Sequence, residues 1–304
     1  MVTALLLALA PSAASDVPRI LNTPHFSIVY AAEDESDARL VAGYAEKSLS
    51  RIETELEYEP VRGFRRVKVL VYSSRRDFVS ETGVDRKKLI VGRAWSGSEE
   101  VEIDASGAFA MVERVVAHEV AHIVIARILG RNVHALPLWA NEGIARTLSG
   151  ESGKGDDERV GEALSMGRFI PLREIAQTFP LDEDRSELAY AEGGSFISYV
   201  RDDHGRRSLA SLLKETSATG GFDEAVMETT GLPLGRLERR WRAAVSEDYA
   251  GGWLGRNVGM IVGVGMALLC VAAYAAVRAR MRRHAIEWAE DDYDDGLDYG
   301  PPPE

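Results

Sequence analysis

Apolar and polar residues follow two different periods along the first hundred positions of the chain. Some segments alternate with a period of two, which predicts strands, and others place apolar residues at helical spacing. The predicted elements are, in order, strand 26–30, helix 37–58, strand 67–72, helix 74–82, and strands 90–95 and 101–104. This order predicts an α/β first half.

The pattern changes after residue 107. Residues 108–129 are apolar nearly all round, which predicts a helix buried inside a domain and ended by Gly130. A second helix is expected over 137–148, with Pro137 in its first turn. Residues 149–158 are polar and glycine-rich and are predicted to be a flexible loop. Four further helices are predicted, at 186–202, 207–216, 222–229 and 233–249. The expected fold class is α/β followed by α.

Both ends of the chain carry apolar segments. The apolar residues 2–10 are too few to cross a bilayer, and small residues follow them. Residues 1–14 are therefore predicted to be a signal peptide cleaved after Ala14. A short N-terminal anchor is the alternative. Residues 258–277 are uncharged and mostly apolar, which predicts a transmembrane helix, with a buried core helix as the alternative. The single cysteine, Cys270, lies in this span, so no intrachain disulfide can form.

Charge predicts the orientation of this span. Four arginines follow it and one precedes it, namely Arg278, Arg280, Arg282, Arg283 and Arg256. The positive-inside rule therefore places the C-terminal segment 278–304 in the cytoplasm and the rest of the protein on the outer side. Eight acidic residues between 287 and 304 carry most of the net charge of −12, and this acidic tail is predicted to be disordered. The remainder is nearly neutral and carries no nucleic-acid signature, so no nucleic-acid partner is expected.

Residues 118–122 read His-Glu-Val-Ala-His. On a helix, His118 and His122 project from one face, and Glu119 lies beside them. Glu142 follows on the second predicted helix, which a turn can bring alongside the first. Two imidazoles and a carboxylate suit Zn²⁺ and leave a fourth tetrahedral position open to water. The motif and its spacing thus favour a zinc hydrolase.

The segments 118–122 and 139–145 resemble the two metal-binding motifs of gluzincin metallopeptidases of the peptidase MA-like superfamily. The resemblance covers residues 25–250 and implies a zincin-like domain, with an α/β part at 25–148 whose mixed sheet packs on the metal-binding helix and a helical part at 159–249. It implies that His118, His122 and Glu142 bind Zn²⁺. It also implies that Glu119 is the general base for a zinc-activated water that hydrolyses peptide bonds.

Two other assignments follow from the resemblance. Tyr190 is the candidate donor to the oxyanion, and an ordinary core tyrosine is the alternative. Residues 101–104 resemble the edge strand along which gluzincins align an extended peptide, and an ordinary sheet strand would look the same.

The sequence departs from this family at two points. Thermolysin-type enzymes place an acid four residues after the third ligand to orient a zinc-bound histidine, but that position is Arg146 here, so the partner of this histidine is unidentified. The Gly-x-Met-x-Asn segment of aminopeptidases is absent, which favours cleavage within a chain.

Other classes with this motif fit less well. Metzincins need a histidine where Ile128 stands, and deformylases need an upstream cysteine ligand. The remaining histidines, His25, His134, His204 and His284, are expected to be surface or structural residues. The sequence thus predicts a single-pass membrane zinc metallopeptidase acting on peptides or proteins. A non-catalytic zincin-fold scaffold tethered to the membrane is the alternative.

Overall fold

A computed structural model describes residues 17–60, 65–83, 91–95, 97 and 99–294. The predicted signal peptide and residues 295–304 of the predicted tail lie outside the described residues. The chain divides into two units, with the boundary between Tyr249 and Ala250.

The first unit combines a mixed sheet with many helices. Its strands are β1 (Arg19–Asn22), β2 (Phe26–Tyr30), β3 (Val67–Tyr72), β4 (Gly92–Trp95) and β5 (Glu100–Asp104). The helices are α1 (Glu35–Glu55), α2 (Arg75–Thr82), α3 (Phe109–Leu129), α4 (Leu138–Ser149), α5 (Lys154–Ser165), α6 (Glu183–His204), α7 (Ser208–Thr219), α8 (Phe222–Thr230) and α9 (Leu234–Asp294), the last of which continues into the second unit. An α/β part followed by a helical part was predicted, and the described residues have this order.

The sheet has the strand order β1-β2-β3-β5-β4. Strands β2, β3 and β5 run parallel, and β1 and β4 pair antiparallel at the two edges. The prediction of an edge strand at residues 101–104 is therefore wrong, because β5 lies between β3 and β4. Val101 and Ile103 on one face and Glu102 and Asp104 on the other are all buried, as expected of an interior strand covered on both faces. The edge strand on this side of the sheet is β4.

Helix α3 is the central helix of the unit, as its apolar sequence predicted. It packs against α1 and α4 and also contacts β4 and β5. Gly130 follows its last residue with a positive φ of 53°, a backbone conformation that glycine adopts without strain. The two histidines and the glutamate of the motif therefore belong to a helix held on several sides.

Helices α4 and α6 cross at a contact between glycines. A Cβ on Gly143 would overlap the carbonyl oxygen of Gly193, and a Cβ on Gly193 would lie 2.5 Å from the carbonyl oxygen of Trp139. The Trp139 ring packs edge-to-face on Phe196 of α6 and Phe222 of α8. These contacts set how close α4 lies to α6.

The segment predicted as a flexible loop, 149–158, is partly helical. Helix α5 begins at Lys154, so only the residues between Ser149 and Lys154 form a connection. Asp156 and Asp157 lie in the first turn of α5, where carboxylates favour the positive end of the helix dipole. Both carboxylates also have partners elsewhere in the chain, Arg146 for Asp156 and Ser195 for Asp157. The polar composition therefore reflects tertiary contacts, which a local pattern does not reveal.

Helix α9 is longer than predicted. It runs without a break from the predicted helix 233–249 through residues 251–257 into the predicted span, and it includes residues 287–294, which were expected to be disordered. Glycine disfavours a helix by about 1 kcal/mol relative to alanine, so the glycines weaken this segment without excluding helical backbone. Residues Val258–Arg282 of α9 are long and apolar enough to cross a membrane, and none of them is buried in the chain.

The α4–α6 crossing leads to a stability prediction. We expect the overlap in Gly143→Ala to cost about 1–3 kcal/mol of the free energy of unfolding, because the new methyl group meets backbone that cannot move aside without separating the helices. The gain in helix propensity, about 1 kcal/mol, opposes this loss. Urea denaturation of the full-length protein in detergent, followed by the fluorescence of buried Trp139 and Trp241, measures the change.

Gly155→Ala is the matched control, since its Cβ would meet nothing within 4 Å in α5. A Gly143→Ala variant as stable as the control would contradict the close approach of the two helices.

Candidate metal centre

The three predicted metal ligands lie together. Nε2 of His118 is 3.4 Å from Oε2 of Glu142, and Nε2 of His122 is 3.7 Å from the same oxygen. The two imidazole rings meet edge-to-face with centroids 4.8 Å apart. One ligand atom from each residue lies within 4.8 Å of the others, so α3 and α4 bring three donors around one point.

The donor set and spacing fit zinc. Ligands at about 2.0–2.1 Å from a tetrahedral Zn²⁺ lie roughly 3.4 Å from each other, close to the separations of Glu142 from the two histidines. Two nitrogens and one carboxylate oxygen form a common catalytic zinc set that keeps one position open. The described residues include no other group of three such donors as close together.

Each histidine turns its second ring nitrogen toward an oxygen. Nδ1 of His122 lies 3.1 Å from Oδ1 of Asn141, an acceptor that holds the proton on Nδ1 and leaves Nε2 free for a metal. Nδ1 of His118 lies 3.3 Å from Oε1 of Glu151, a charged contact without the alignment of a hydrogen bond. Both rings are thus held between an outer oxygen and Glu142.

The buried charges shift the pKa values of the cluster. Burial lowers the pKa of the His118 imidazole, but the carboxylates of Glu142 and Glu151 outweigh burial and raise this pKa to about 10. Burial also lowers the pKa of His122, but the charge of Glu142 raises it by more, so the net shift is upward. Burial raises the pKa of Glu142, but the two histidines hold it well below its usual range. These raised pKa values favour the protonated imidazoles, so a metal ion has to compete with protons for the two histidines.

Glu119 lies beside the ligands and under the edge strand. Its side chain is buried, and a Cβ on Gly92 of β4 would lie 2.7 Å from its Oε1. Burial raises the pKa of this carboxyl; the charges of His118 and His122 oppose the shift without reversing it. A carboxylate with a raised pKa is a better proton acceptor, which suits the role predicted for Glu119.

Comparison with known proteins identifies the family. The family model of the Peptidase MA superfamily matches residues 56–247, which contain all three candidate ligands and Glu119. The chain belongs to the Peptidase MA superfamily. Its ligand pattern is of the gluzincin type, with two histidines on one helix and a glutamate on the next.

Individual relatives are distant. The uncharacterized protein YhcO of Bacillus subtilis (strain 168) is 20% identical over 185 residues, which are 59% of this chain and 52% of that protein. The chain thus spans about half the length of this curated relative.

Two solved structures of M1 zinc metallopeptidase mutants are also similar. One, from Deinococcus radiodurans, shows 15% identity and a TM-score of 0.45 over 74% of this chain and 51% of that one. The other, a two-domain enzyme bound to L-arginine, shows 14% identity and a TM-score of 0.39 over 75% and 51%.

In this Peptidase MA protein, Tyr190 of α6 lies within electrostatic range of the cluster. Burial, followed by the charges of Glu142 and Glu119, raises the pKa of its hydroxyl to about 12. The ring packs edge-to-face on Phe179 with centroids 4.7 Å apart. A hydroxyl in this setting stays protonated and can donate a hydrogen bond.

Several residues around the centre were missed by the sequence analysis. Asn141 directly precedes Glu142, and this adjacency to a candidate ligand was the one feature of the sequence that could have pointed to it. Glu151 lies in the segment predicted to be a flexible loop. Gly92 lies at the start of β4, and no local pattern indicates that this strand covers Glu119. Of the other histidines whose side chains the structure describes, His25, His134 and His204 are outside the candidate ligand group, and His134, the one nearest in sequence, is exposed.

Proposed function

We propose that this protein is a zinc metallopeptidase anchored to a membrane, which cleaves bonds within peptide or protein chains. The observation that carries the proposal is the convergence of His118 Nε2, His122 Nε2 and Glu142 Oε2, with Glu119 on the same helix as the histidines. His118, His122 and Glu142 would hold the zinc. When bound, zinc supplies Lewis-acid polarisation of a carbonyl group and a lowered pKa for water.

Glu119 carries out the proton transfers of the proposed reaction. Its carboxylate accepts the proton of the attacking water and delivers it to the leaving amine, because a buried carboxyl group with a raised pKa can both take up and release a proton. The backbone of β4 at Gly92 lies against this carboxylate, so a larger residue there would displace it. Glu142 pairs with both histidines, and Glu151 contacts Nδ1 of His118, the ring nitrogen turned away from Glu142. Among the described carboxylates near the candidate ligands, this leaves Glu119 for the role of the base.

Tyr190 is the proposed oxyanion donor. Its hydroxyl lies in the field of Glu142 and Glu119 and remains protonated, so it can donate to the oxygen that becomes negative as the peptide bond is attacked. Its contact with Phe179 holds the ring in a defined orientation.

The substrate is proposed to bind along β4 rather than along β5. Only an edge strand offers free backbone groups to an extended peptide, and β4 is the edge strand whose first residue contacts Glu119. A peptide paired with β4 would therefore pass close to the general base.

Membrane anchoring is proposed from the apolar segment of α9. A helix with exposed leucines and valines along Val258–Arg282 is costly in water and stable in a bilayer. The excess of arginines after the span favours a cytoplasmic C-terminus and a metal centre on the opposite side.

The zinc and general-base roles are tested with Glu119→Gln. We expect the purified full-length protein to bind one zinc ion, and the variant to keep it while peptide hydrolysis falls by roughly 10²- to 10⁴-fold. Metal analysis and turnover of a peptide library measure the two properties. Glu113→Gln is the control, since Glu113 lies on the outer side of α3 and pairs with Lys47. A zinc-loaded wild type without turnover of any peptide would instead indicate a non-catalytic scaffold.

The role of Tyr190 is tested with Tyr190→Phe, compared with Tyr199→Phe on the same helix. Loss of an oxyanion donor should lower kcat by roughly 10²- to 10³-fold with little change in KM or in zinc content. Steady-state kinetics separates the two parameters. An unchanged kcat in Tyr190→Phe would show that Tyr190 is not the oxyanion donor and contributes only to packing.

The topology is tested by cysteine labelling, since Cys270 is the only cysteine. In a Cys270→Ser background, we expect Gly155→Cys to react with a membrane-impermeant maleimide in intact cells and Gly300→Cys to react only after permeabilisation. The reverse pattern would overturn the orientation, and recovery of the protein in the soluble fraction would overturn the anchor.

A further inference from the structure

We propose that Glu151 is the positioning residue for His118, and that Arg146 holds Glu151 in place. This inference rests on the proposed zinc centre and adds to it the partner that the family pattern leaves unassigned. Oε1 of Glu151 lies 3.3 Å from Nδ1 of His118, on the side of the ring opposite to Glu142. The imidazole is thereby held between two carboxylates, with Nε2 directed to the metal position.

Arg146 holds Glu151 through its side chain. Its Nη1 lies 3.4 Å from Oε2 of Glu151, and its Nη2 donates to both carboxylate oxygens of Asp156, at 2.9 and 3.2 Å. The guanidinium group therefore bridges the loop after α4 and the first turn of α5. This bridge holds the Glu151 carboxylate from the side away from His118.

Arg146 also shapes the backbone that carries Glu151. Its carbonyl oxygen accepts hydrogen bonds from the backbone N–H groups of Glu151 and Ser152, at 2.9 and 3.1 Å. Gly150 has a φ of 80°, the left-handed conformation that turns the chain back at the end of α4. The Ser149 hydroxyl lies 3.1 Å from Oε1 of Glu151. The turn therefore places Glu151 over the last turns of α4.

Helix α6 leaves room for this network. A Cβ on Gly194 would lie 2.5 Å from Oγ of Ser152, 2.7 Å from Oδ2 of Asp156 and 3.2 Å from Nε of Arg146. The network is therefore packed against backbone and partly enclosed, which limits the positions that Glu151 can adopt.

Charge explains why an arginine can stand at this position of α4. Arg146 is one helical turn after Glu142, where an acid in thermolysin-type enzymes orients a histidine directly. Here the cation at that position attracts an acid from the following turn, and this acid contacts the histidine. In both arrangements a carboxylate lies beside a histidine of the metal-binding motif, but it comes from a different position in the chain.

The test measures zinc affinity, not only hydrolysis. The full-length protein and its variants are titrated in detergent against a zinc-chelating indicator. We expect Glu151→Ala to weaken zinc binding by about 10- to 100-fold, as is usual for residues that orient a metal-bound histidine. Glu151→Gln should lose less, because its amide oxygen can still face Nδ1 of His118. Glu162→Gln, an exposed carboxylate of α5, is the matched control and should bind zinc like the wild type.

The role of Arg146 is tested by non-additivity. Arg146→Gln alone should weaken zinc binding, but it should add little in the Glu151→Ala background if Arg146 acts through Glu151. The visible spectrum of the Co²⁺-substituted protein should change in both single variants, because the orientation of His118 changes. Melting of the zinc-free variants identifies any loss of folding, and the near-isosteric Glu151→Gln provides the measurement if Glu151→Ala does not fold.

Three results would overturn the inference. Wild-type zinc affinity and cobalt spectrum in both Glu151 variants would remove Glu151 as the positioning residue while leaving the metallopeptidase proposal intact. Fully additive losses would show that Arg146 does not act through Glu151. A wild type that binds no zinc would contradict the proposed function itself, and this inference with it.

Discussion

The burial of charged side chains inside an apolar helix is the constraint on which the rest of this structure depends. Helix α3 is covered on several sides, yet it turns His118, Glu119 and His122 inward. An isolated charge in such a place costs several kcal/mol, so each group needs a partner of opposite charge or a metal. Glu142 supplies the partner for both histidines, and this requires α4 to lie close against α3.

The elements around the candidate metal centre can pack this closely because three glycines let their backbones approach each other. Gly143 and Gly193 let α4 and α6 touch where any side chain would separate them, and this contact holds Glu142 and Tyr190 on adjoining helices. Gly92 does the same for β4, which lies against the carboxylate of Glu119. In each case the absence of a side chain on the glycine allows a candidate site residue to take its position.

The two helices that carry the candidate metal ligands could be predicted from the sequence, because local sequence patterns define them. The continuous apolar sequence of α3 ends at Gly130, and Pro137 marks the start of α4. The spacing of Glu142 from His122 indicated the third candidate ligand. The order of the sheet could not be predicted, because the pairing of β5 with β3 joins residues far apart in the chain. Glu151 was missed for a related reason: its position depends on a turn that returns to the carbonyl of Arg146.

Arg146 departs from the family pattern, and neighbouring carboxylates compensate its charge. An arginine where an acid is expected would place a positive charge beside the metal centre, and this charge must be neutralised because it is partly buried. Asp156 and Glu151 neutralise it together. Since Glu151 also faces His118, a single carboxylate both compensates Arg146 and lies at the ring nitrogen of the ligand. A carboxylate thus faces Nδ1 of His118 although it comes from another position in the chain than the acid of thermolysin-type enzymes.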